Sequence, residues 1–179
     1  MMRSIVALAF ATLLTVPGFA TAQTGEALIQ KLGASSPIPN PGFPADKKAV
    51  YKIAWDVTKG PEKPEDIAPG FSRPANFLFM ADAEGLSRKK VHLAIIVRGA
   101  AAKSLRTNAA YKTAAGVDNA SIPLLEALNA AGVQIIVCGQ ALIGLKVPRE
   151  ELLPFVKVAT SATMARATLH AQGYVAFPE

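Results

Sequence analysis

The sequence is poor in the side chains that most often hold metals or activate a nucleophile. Its 179 residues include one cysteine and two histidines, His92 and His170, which stand far apart along the chain. Isolated histidines do not have the spacing of a metal site, and no Ser-His-Asp order suggests a hydrolase. No GxGxxG or Walker pattern follows a strand, so a phosphate loop is not expected either. The sequence therefore predicts no metal site and no bound cofactor.

Aromatic residues and charges are also sparse. Aromatic residues make up 7% of the chain and charged residues 18%, with a formal net charge of +6. The basic residues form no run with interleaved aromatic residues, which argues against a nucleic-acid partner despite the positive charge. Hydrophobic residues, in contrast, make up 51% of the sequence. A chain of this length and composition is expected to form one compact domain with a substantial core.

The first 22 residues have the pattern of an export signal. Arg3 precedes an apolar run over residues 5–16, which is short for a membrane span, and Ala20-Thr21-Ala22 resembles a signal-peptidase site. We therefore expect a cleavable signal peptide over residues 1–22, a mature chain beginning near Gln23, and a periplasmic or otherwise secreted protein. The alternative is an uncleaved membrane anchor. No later segment resembles a membrane span, so no stable anchor is expected after cleavage.

Export changes the interpretation of Cys138. Disulfides form outside the cytoplasm, but the only cysteine of a chain has no partner within that chain. Three interpretations stay open: a buried and inert thiol, a disulfide between two chains, or a thiol that takes part in chemistry.

Residues 23–45 are expected to be an arm or linker in front of the domain, which we place at residues 46–179. Residues 35–44 contain four prolines, which favour extended geometry. Residues 26–32 could form one or two helical turns. The arm could pack on a neighbouring subunit or act as a loosely held linker. A second unusual segment, residues 59–74, is long for a connection and is expected to be a functional loop or a mobile flap.

Strand and helix patterns alternate through the domain. The apolar run Val91–Val97 is typical of a strand covered on both faces by helices, as in a parallel sheet. We expect strands at residues 49–57, 91–97, 133–137, 155–158 and 174–177. Helices are expected at about residues 75–85, 103–111, 123–131 and 140–145, with a further start at Pro148 and a last helix capped by Thr160 or Ser161 and ending near Gln172. This alternation predicts a three-layer α/β/α fold with about five mainly parallel strands.

The carboxyl ends of such strands are where open α/β sheets usually bind ligands. Cys138 follows one strand and Arg98 follows another, whereas His92 lies at the opposite end of its strand and is expected to be structural. A positive charge near a thiol favours the reactive thiolate. Gly139 would allow a ligand to approach closely, and the Gln140 amide could bind a sulfur species.

Further polar residues follow Gly99 and could line the same pocket. These are Arg106, Asn108 and Tyr111, although each is also an ordinary polar residue of a helix face.

Several segments together resemble the DsrE/DsrF-like family of sulfur-relay proteins. They are residues 95–99, Asn108 and Tyr111, residues 123–128, residues 132–140 with the Cys-Gly-Gln step, and Gly173-Tyr174. The resemblance implies a flavodoxin-like domain that assembles into oligomers such as trimers or hexamers. It also implies a cysteine that carries sulfur as a persulfide between a donor and an acceptor protein, and Cys138 matches that position.

These observations lead to two functional hypotheses. The first is an exported sulfur carrier or thiol-redox protein, sulfurtransferase-like if it is active as an enzyme, with Cys138 as the reacting residue and Arg98, Gly99, Asn108, Tyr111, Gly139 and Gln140 as binding residues. The alternative is a non-catalytic oligomeric module that binds a small anion or cofactor near the same cleft.

Overall fold

A computed structural model describes residues 25–33 and 35–179 of the chain. The predicted signal peptide, residues 1–22, lies outside the described residues. The strands are β1 (Tyr51–Val57), β2 (Val91–Val97), β3 (Gln134–Cys138), β4 (Lys157–Ala159) and β5 (Val175–Phe177). The α-helices are α1 (Gly25–Leu32), α2 (Ser72–Ala83), α3 (Asn108–Ala115), α4 (Ile122–Ala130), α5 (Gly139–Leu145) and α6 (Ala162–Ala171).

The five strands form one parallel sheet in the order β4-β3-β2-β1-β5. The prediction of a three-layer α/β/α fold with about five parallel strands is confirmed. The two edge strands, β4 and β5, have three residues each, whereas β1 and β2 have seven. The long strands therefore lie next to each other in the interior of the sheet, where both of their edges are hydrogen-bonded.

The sheet separates two cores of unequal size. Along β2 the side chains alternate, so that Leu93, Ile95 and Val97 enter the larger core while Ala94 and Ile96 enter the smaller one. All five are buried, which explains the apolar run that follows His92 in this strand. Among the described helices, α1, α2 and α4 contribute to the larger core and α6 to the smaller.

The helix predicted within the arm is present as α1 and packs on the domain. Ile29 is 1% exposed and belongs to the larger core, and α1 lies against α2 and α4. Arg88 adds an ionic link, with its Nη2 3.0 Å from Glu26 Oε1 and 2.5 Å from Asp82 Oδ2. The first part of the predicted arm, helix α1, thus packs against the domain of the same chain.

The prediction of a helix at about residues 103–111 was wrong for the first half of this range. Residues Gly99–Leu105 form a 3-10 helix, Arg106 is extended, and α3 begins only at Asn108. The break has a local cause, because Thr107 caps α3 by accepting a hydrogen bond from the Ala110 backbone N–H. The helix expected from Pro148 is likewise only a 3-10 turn, Arg149–Glu151, because the chain returns to extended geometry at Leu152.

The long segment of residues 59–74 is fastened to the fold at several points. The Tyr111 hydroxyl donates to the Pro64 carbonyl at 2.8 Å, and the Ala68 N–H donates to Ser121 Oγ at 3.3 Å. Gly70 packs so closely on Val57 that a Cβ would come within 2.6 Å of Val57 Cγ1. Within residues 25–33 and 35–179, no helix has the length and apolar character needed to cross a membrane.

Candidate functional site at the carboxyl edge of the sheet

Cys138 and Arg98 lie next to each other at the carboxyl edge of the sheet. Val97 pairs with Val137, so the residues that follow, Arg98 and Cys138, hold neighbouring positions on adjacent strands. Arg98 keeps extended backbone geometry, with φ −150° and ψ −177°. Side-chain alternation from Ile96 and Ile136 then directs both residues to the face covered by α6. The structure therefore brings together the predicted thiol and the predicted cation.

The Cys138 thiol is free and nearly buried. The residue is 7% exposed and packs in the smaller core with Ile136 and with Ala162 of α6. It is also the residue from which the chain turns into α5. The thiol thus lies just below the surface.

A buried carboxylate organises the charges beside the thiol. The side chain of Asp56, near the end of β1, is 10% exposed and lies on the α6 face of the sheet. Arg166 of α6 donates to it from Nε at 3.1 and 3.2 Å, and its Nη2 lies 3.0 Å from Asp56 Oδ2. Arg98 Nη2 lies 3.6 Å from the same oxygen. We call Asp56, Arg98 and Arg166 the Asp56 cluster.

The Asp56 cluster carries an excess positive charge. Two guanidinium groups and one carboxylate leave a net charge of about +1 at the carboxyl ends of β1 and β2. Asp56 takes its hydrogen bonds from Arg166, so the more exposed Arg98 keeps its donors available within the described part of the chain. Such an arrangement suits an anionic ligand at the carboxyl edge.

Position 139 requires glycine because the start of α5 packs closely on the backbone of β4. A Cβ at this position would lie 2.8 Å from the Ala159 carbonyl oxygen and 3.4 Å from that of Thr160. The absence of a side chain therefore lets the start of α5 lie directly against β4. Gly99, with a φ of +56°, has a second reason to be glycine, since its Cβ would come within 3.0 Å of the Thr58 carbonyl oxygen.

Gln140 lies in a groove of about 610 Å³ between α5 and β4. The groove begins at Gly139, beside the thiol, and its polar lining includes Lys146, Arg149 and Thr160. Among the described residues that line it, two side chains are cationic and none is acidic. The groove and the Asp56 cluster thus lie on either side of the backbone that carries Cys138.

Asn108 and Tyr111 belong to α3, and their hydrogen bonds go to loops and not to the thiol. Asn108 donates to Asp118 Oδ1 at 2.9 Å and accepts from the Asn119 N–H at 2.8 Å, while Tyr111 holds the loop at Pro64. Arg106 pairs with Glu151. The hydrogen bonds of these residues stabilise loops, and none of them leads to Cys138.

The histidines do not contribute to the site. His92 is exposed near the start of β2, at the amino end of the strand, and His170 is exposed near the end of α6. In the described ranges of the chain, no three His, Cys, Asp or Glu side chains are close enough to hold a metal ion.

Sequence reasoning missed Asp56 and Arg166. The sequence did contain a signal for Asp56, because an acidic residue near the carboxyl end of a strand in a parallel sheet lies where ligands bind. Arg166 had none, since it is 110 residues from Asp56 and stands in an otherwise ordinary amphipathic helix.

Comparison with known proteins identifies the family. The model of the DsrE/DsrF-like family matches residues 52–177. The chain belongs to the DsrE/DsrF-like family. The match includes both Arg98 and Cys138, and ends at Phe177, the last residue of β5.

A solved structure shows the same fold. The protein of unknown function MTH1491 from Methanobacterium thermoautotrophicum has a TM-score of 0.52 and 18% identity, over 72% of this chain and 99% of that one. The ychN protein from E. coli has a TM-score of 0.45 and 20% identity, over 71% and 99% of the two chains. No curated protein sequence matched the chain.

Proposed function

We propose that this DsrE/DsrF-like protein is an exported sulfur carrier that holds sulfur as a persulfide on Cys138. The observation that supports this proposal most directly is the position of the thiol. Cys138 ends a central strand, beside Arg98 and the Asp56 cluster, in a member of a family of the sulfur-relay type. Family membership alone assigns no chemistry to a particular residue, whereas this proposal assigns sulfur binding to the Sγ atom of Cys138.

The proposed step is a transfer of one sulfur atom. The Cys138 thiolate attacks the outer sulfur of a donor persulfide, the new S–S bond forms, and the donor's S–S bond breaks. The donor leaves as a thiolate with the bonding electron pair, so neither an oxidant nor a reductant is required. Arg98 would stabilise the negative charge on the attacking sulfur and on the persulfide that forms.

The proposal includes the setting in which the carrier acts. A cleaved signal peptide would deliver it to the periplasm or outside the cell, and homo-oligomers such as trimers or hexamers would present several thiols to a donor and an acceptor protein. The burial of Cys138 suits a carrier, because a persulfide held just below the surface is shielded from oxidation.

A second candidate function has its own observation. The groove of about 610 Å³ at Gln140 is lined by Lys146 and Arg149 and, among the described residues, by no acidic side chain, which suits a small anion. In that case the protein would be a binding module, and Cys138 would be a buried apolar residue of the smaller core.

Mass spectrometry of the purified protein after treatment with a small persulfide donor separates these functions. We expect the mass to increase by one sulfur atom and the increase to be absent from Cys138→Ser. Incubation with an acceptor thiol should then remove the sulfur. The Ser variant is the matched control, since it changes a single atom of the side chain.

Three other results would contradict sulfur transfer. In the first, the mass of the folded protein does not change although the denatured protein gains a sulfur atom. In the second, the mass increase persists in Cys138→Ser. In the third, the protein forms a dimer that a reductant separates. The last result would indicate a disulfide between chains. Anion binding that does not change in Cys138→Ser, together with an unchanged mass, would favour the binding module.

A further inference from the structure

The end of β1 holds a carboxylate in a pocket of hydrogen-bond donors. The Thr58 N–H donates to Glu179 Oε2 at 2.9 Å, and the Lys59 N–H lies 3.2 Å from Oε2 and 3.3 Å from Oε1. The Thr58 hydroxyl also donates to Oε2. Two successive backbone N–H groups and a hydroxyl thus converge on one carboxylate, an arrangement that binds anions. We call these donors the Thr58 cradle.

The Thr58 cradle lies on the same edge of the sheet as the thiol. Val57 pairs with Val97, and Val97 with Val137, so the residues that follow them are Thr58, Arg98 and Cys138. Neighbouring strands are about 4.8 Å apart, which places the backbone of Thr58 roughly 10 Å from that of Cys138. Arg98 stands between them, and in the described ranges its guanidinium has only the ion pair with Asp56.

Beyond the hydrogen bonds of Glu179 itself, the segment that carries it has few attachments in the described part of the chain. It follows β5, whose three residues are all exposed, and Arg73 adds a hydrogen bond to the Pro178 carbonyl at 3.0 Å. Behind it lies a cavity of about 330 Å³ lined by Asp56, Arg166, Ala176, Phe177 and Pro178. A short edge strand with few buried contacts opens at low cost in free energy. The lining of this cavity includes Pro178, next to Glu179, and Asp56, two residues before Thr58, so the cavity adjoins the Thr58 cradle.

We propose that the Thr58 cradle is a binding site for a small carboxylate-bearing molecule, and that Glu179 is its displaceable occupant. The carboxylate of the ligand would take the place of Glu179, and the rest of the ligand would lie over Arg98 toward Cys138. Binding requires no chemistry at the thiol, so this site is independent of the proposed sulfur transfer. The position of the cradle explains how a ligand could be oriented toward Cys138.

Nuclear magnetic resonance of the Thr58 and Lys59 amides tests the proposal. Glutarate is the probe, added at constant ionic strength to wild type and to Glu179→Gln. Because a tethered carboxylate competes at an effective concentration in the millimolar range, we expect glutarate to bind Glu179→Gln about tenfold more tightly than wild type. Glu179→Ala, which removes the whole competing group, should behave in the same way.

Two controls define the binding site. Thr58→Val keeps the shape of the side chain but removes its hydroxyl, and in the Glu179→Gln background it should weaken glutarate binding several-fold. Glu150→Gln, an exposed residue elsewhere, should bind glutarate as wild type does.

The proposal is overturned if glutarate leaves both amides unshifted in Glu179→Gln, or if sodium chloride produces the same shifts. It is also overturned if wild type and Glu179→Gln bind equally, or if Thr58→Val has no effect.

Discussion

At the scale of the residue, the site depends on side chains that are small or absent. Gly139 lets the chain leave β3 against the backbone of β4, and the adjoining Cys138 enters the smaller core. A thiol is compact enough to fit under α6 with Ala162 and Ala165. The position of the thiol is thus set by close packing around it, and a larger residue at either position would move the end of β3.

Gly139→Ala is expected to destabilise the protein by about 1–3 kcal/mol, because the new methyl group overlaps the Ala159 carbonyl. Gly144→Ala is the matched control in the same helix. No atom lies within 4 Å of its would-be Cβ, and alanine favours the helix by roughly 0.5–1 kcal/mol over glycine. Urea denaturation of both variants measures the difference. Equal stabilities would show that Gly139 is not constrained by β4.

At the scale of the element, α6 covers one face of the sheet and carries the partner of a buried charge. Its start is capped by Ser161, whose hydroxyl accepts from the Met164 N–H at 3.1 Å. Arg166, one turn further on, meets Asp56, and Leu169 fills the smaller core. The helix therefore joins the core beneath Cys138 to the charges beside it.

Arg166→Met should reduce the free energy of unfolding by about 1–3 kcal/mol, because Asp56 loses its hydrogen-bonded cation while remaining buried. Arg149→Met is the control, since Arg149 is exposed and a surface substitution of this kind usually changes stability by less than about 0.5 kcal/mol. Chemical denaturation with matched baselines gives both values. A loss in Arg166→Met no larger than in Arg149→Met would mean that solvent or Arg98 satisfies Asp56.

At the scale of the whole molecule, the parallel sheet determines which residues meet. The end of each strand brings its next residue to one edge, so Thr58, Arg98 and Cys138 become neighbours although 40 residues separate each from the next. Asp56 of β1 pairs with Arg98, which follows β2, and with Arg166 of α6. The segment after β5 closes this edge through Glu179.

Closure at Glu179 should depend on pH. Burial acts to raise the pKa of the Glu179 carboxyl, but hydrogen bonds from the Thr58 hydroxyl and from the Thr58 and Lys59 N–H groups outweigh it and lower the pKa below 4.5. A lowered pKa in the folded state means that the closure contributes fully above pH 4.5 and is lost as pH falls through the lowered value. We expect the protection of the Thr58 and Lys59 amides from hydrogen exchange to follow this course.

Glu179→Gln has no titrating carboxyl at this position and should show no such dependence below pH 4.5. If the amides of wild type and Glu179→Gln respond to pH in the same way, another group controls the closure.

Much of the fold could be predicted because the strands have strong local patterns. Val91–Val97 was located in full, since an apolar run of this length matches a strand buried on both faces. The helix around residues 103–111 was misplaced because alanine-rich sequence suits several helical forms, and the tertiary contacts of Leu105 and Arg106 decide between them. Cys138 and Arg98 could be placed from strand ends alone. Arg166 and Glu179 could not, because their partners lie more than 100 residues away.

The order of the strands has a consequence for folding during synthesis. The long strands β1, β2 and β3 are made one after another and can pair as they appear, but β5 pairs with β1, about 120 residues earlier. One edge of β1 therefore stays open, as a site for pairing with other chains, until residues 175–177 are available. Contacts this distant in sequence also slow folding. One of the two shortest strands of the sheet thus ends the interval in which this edge of β1 is open to other chains.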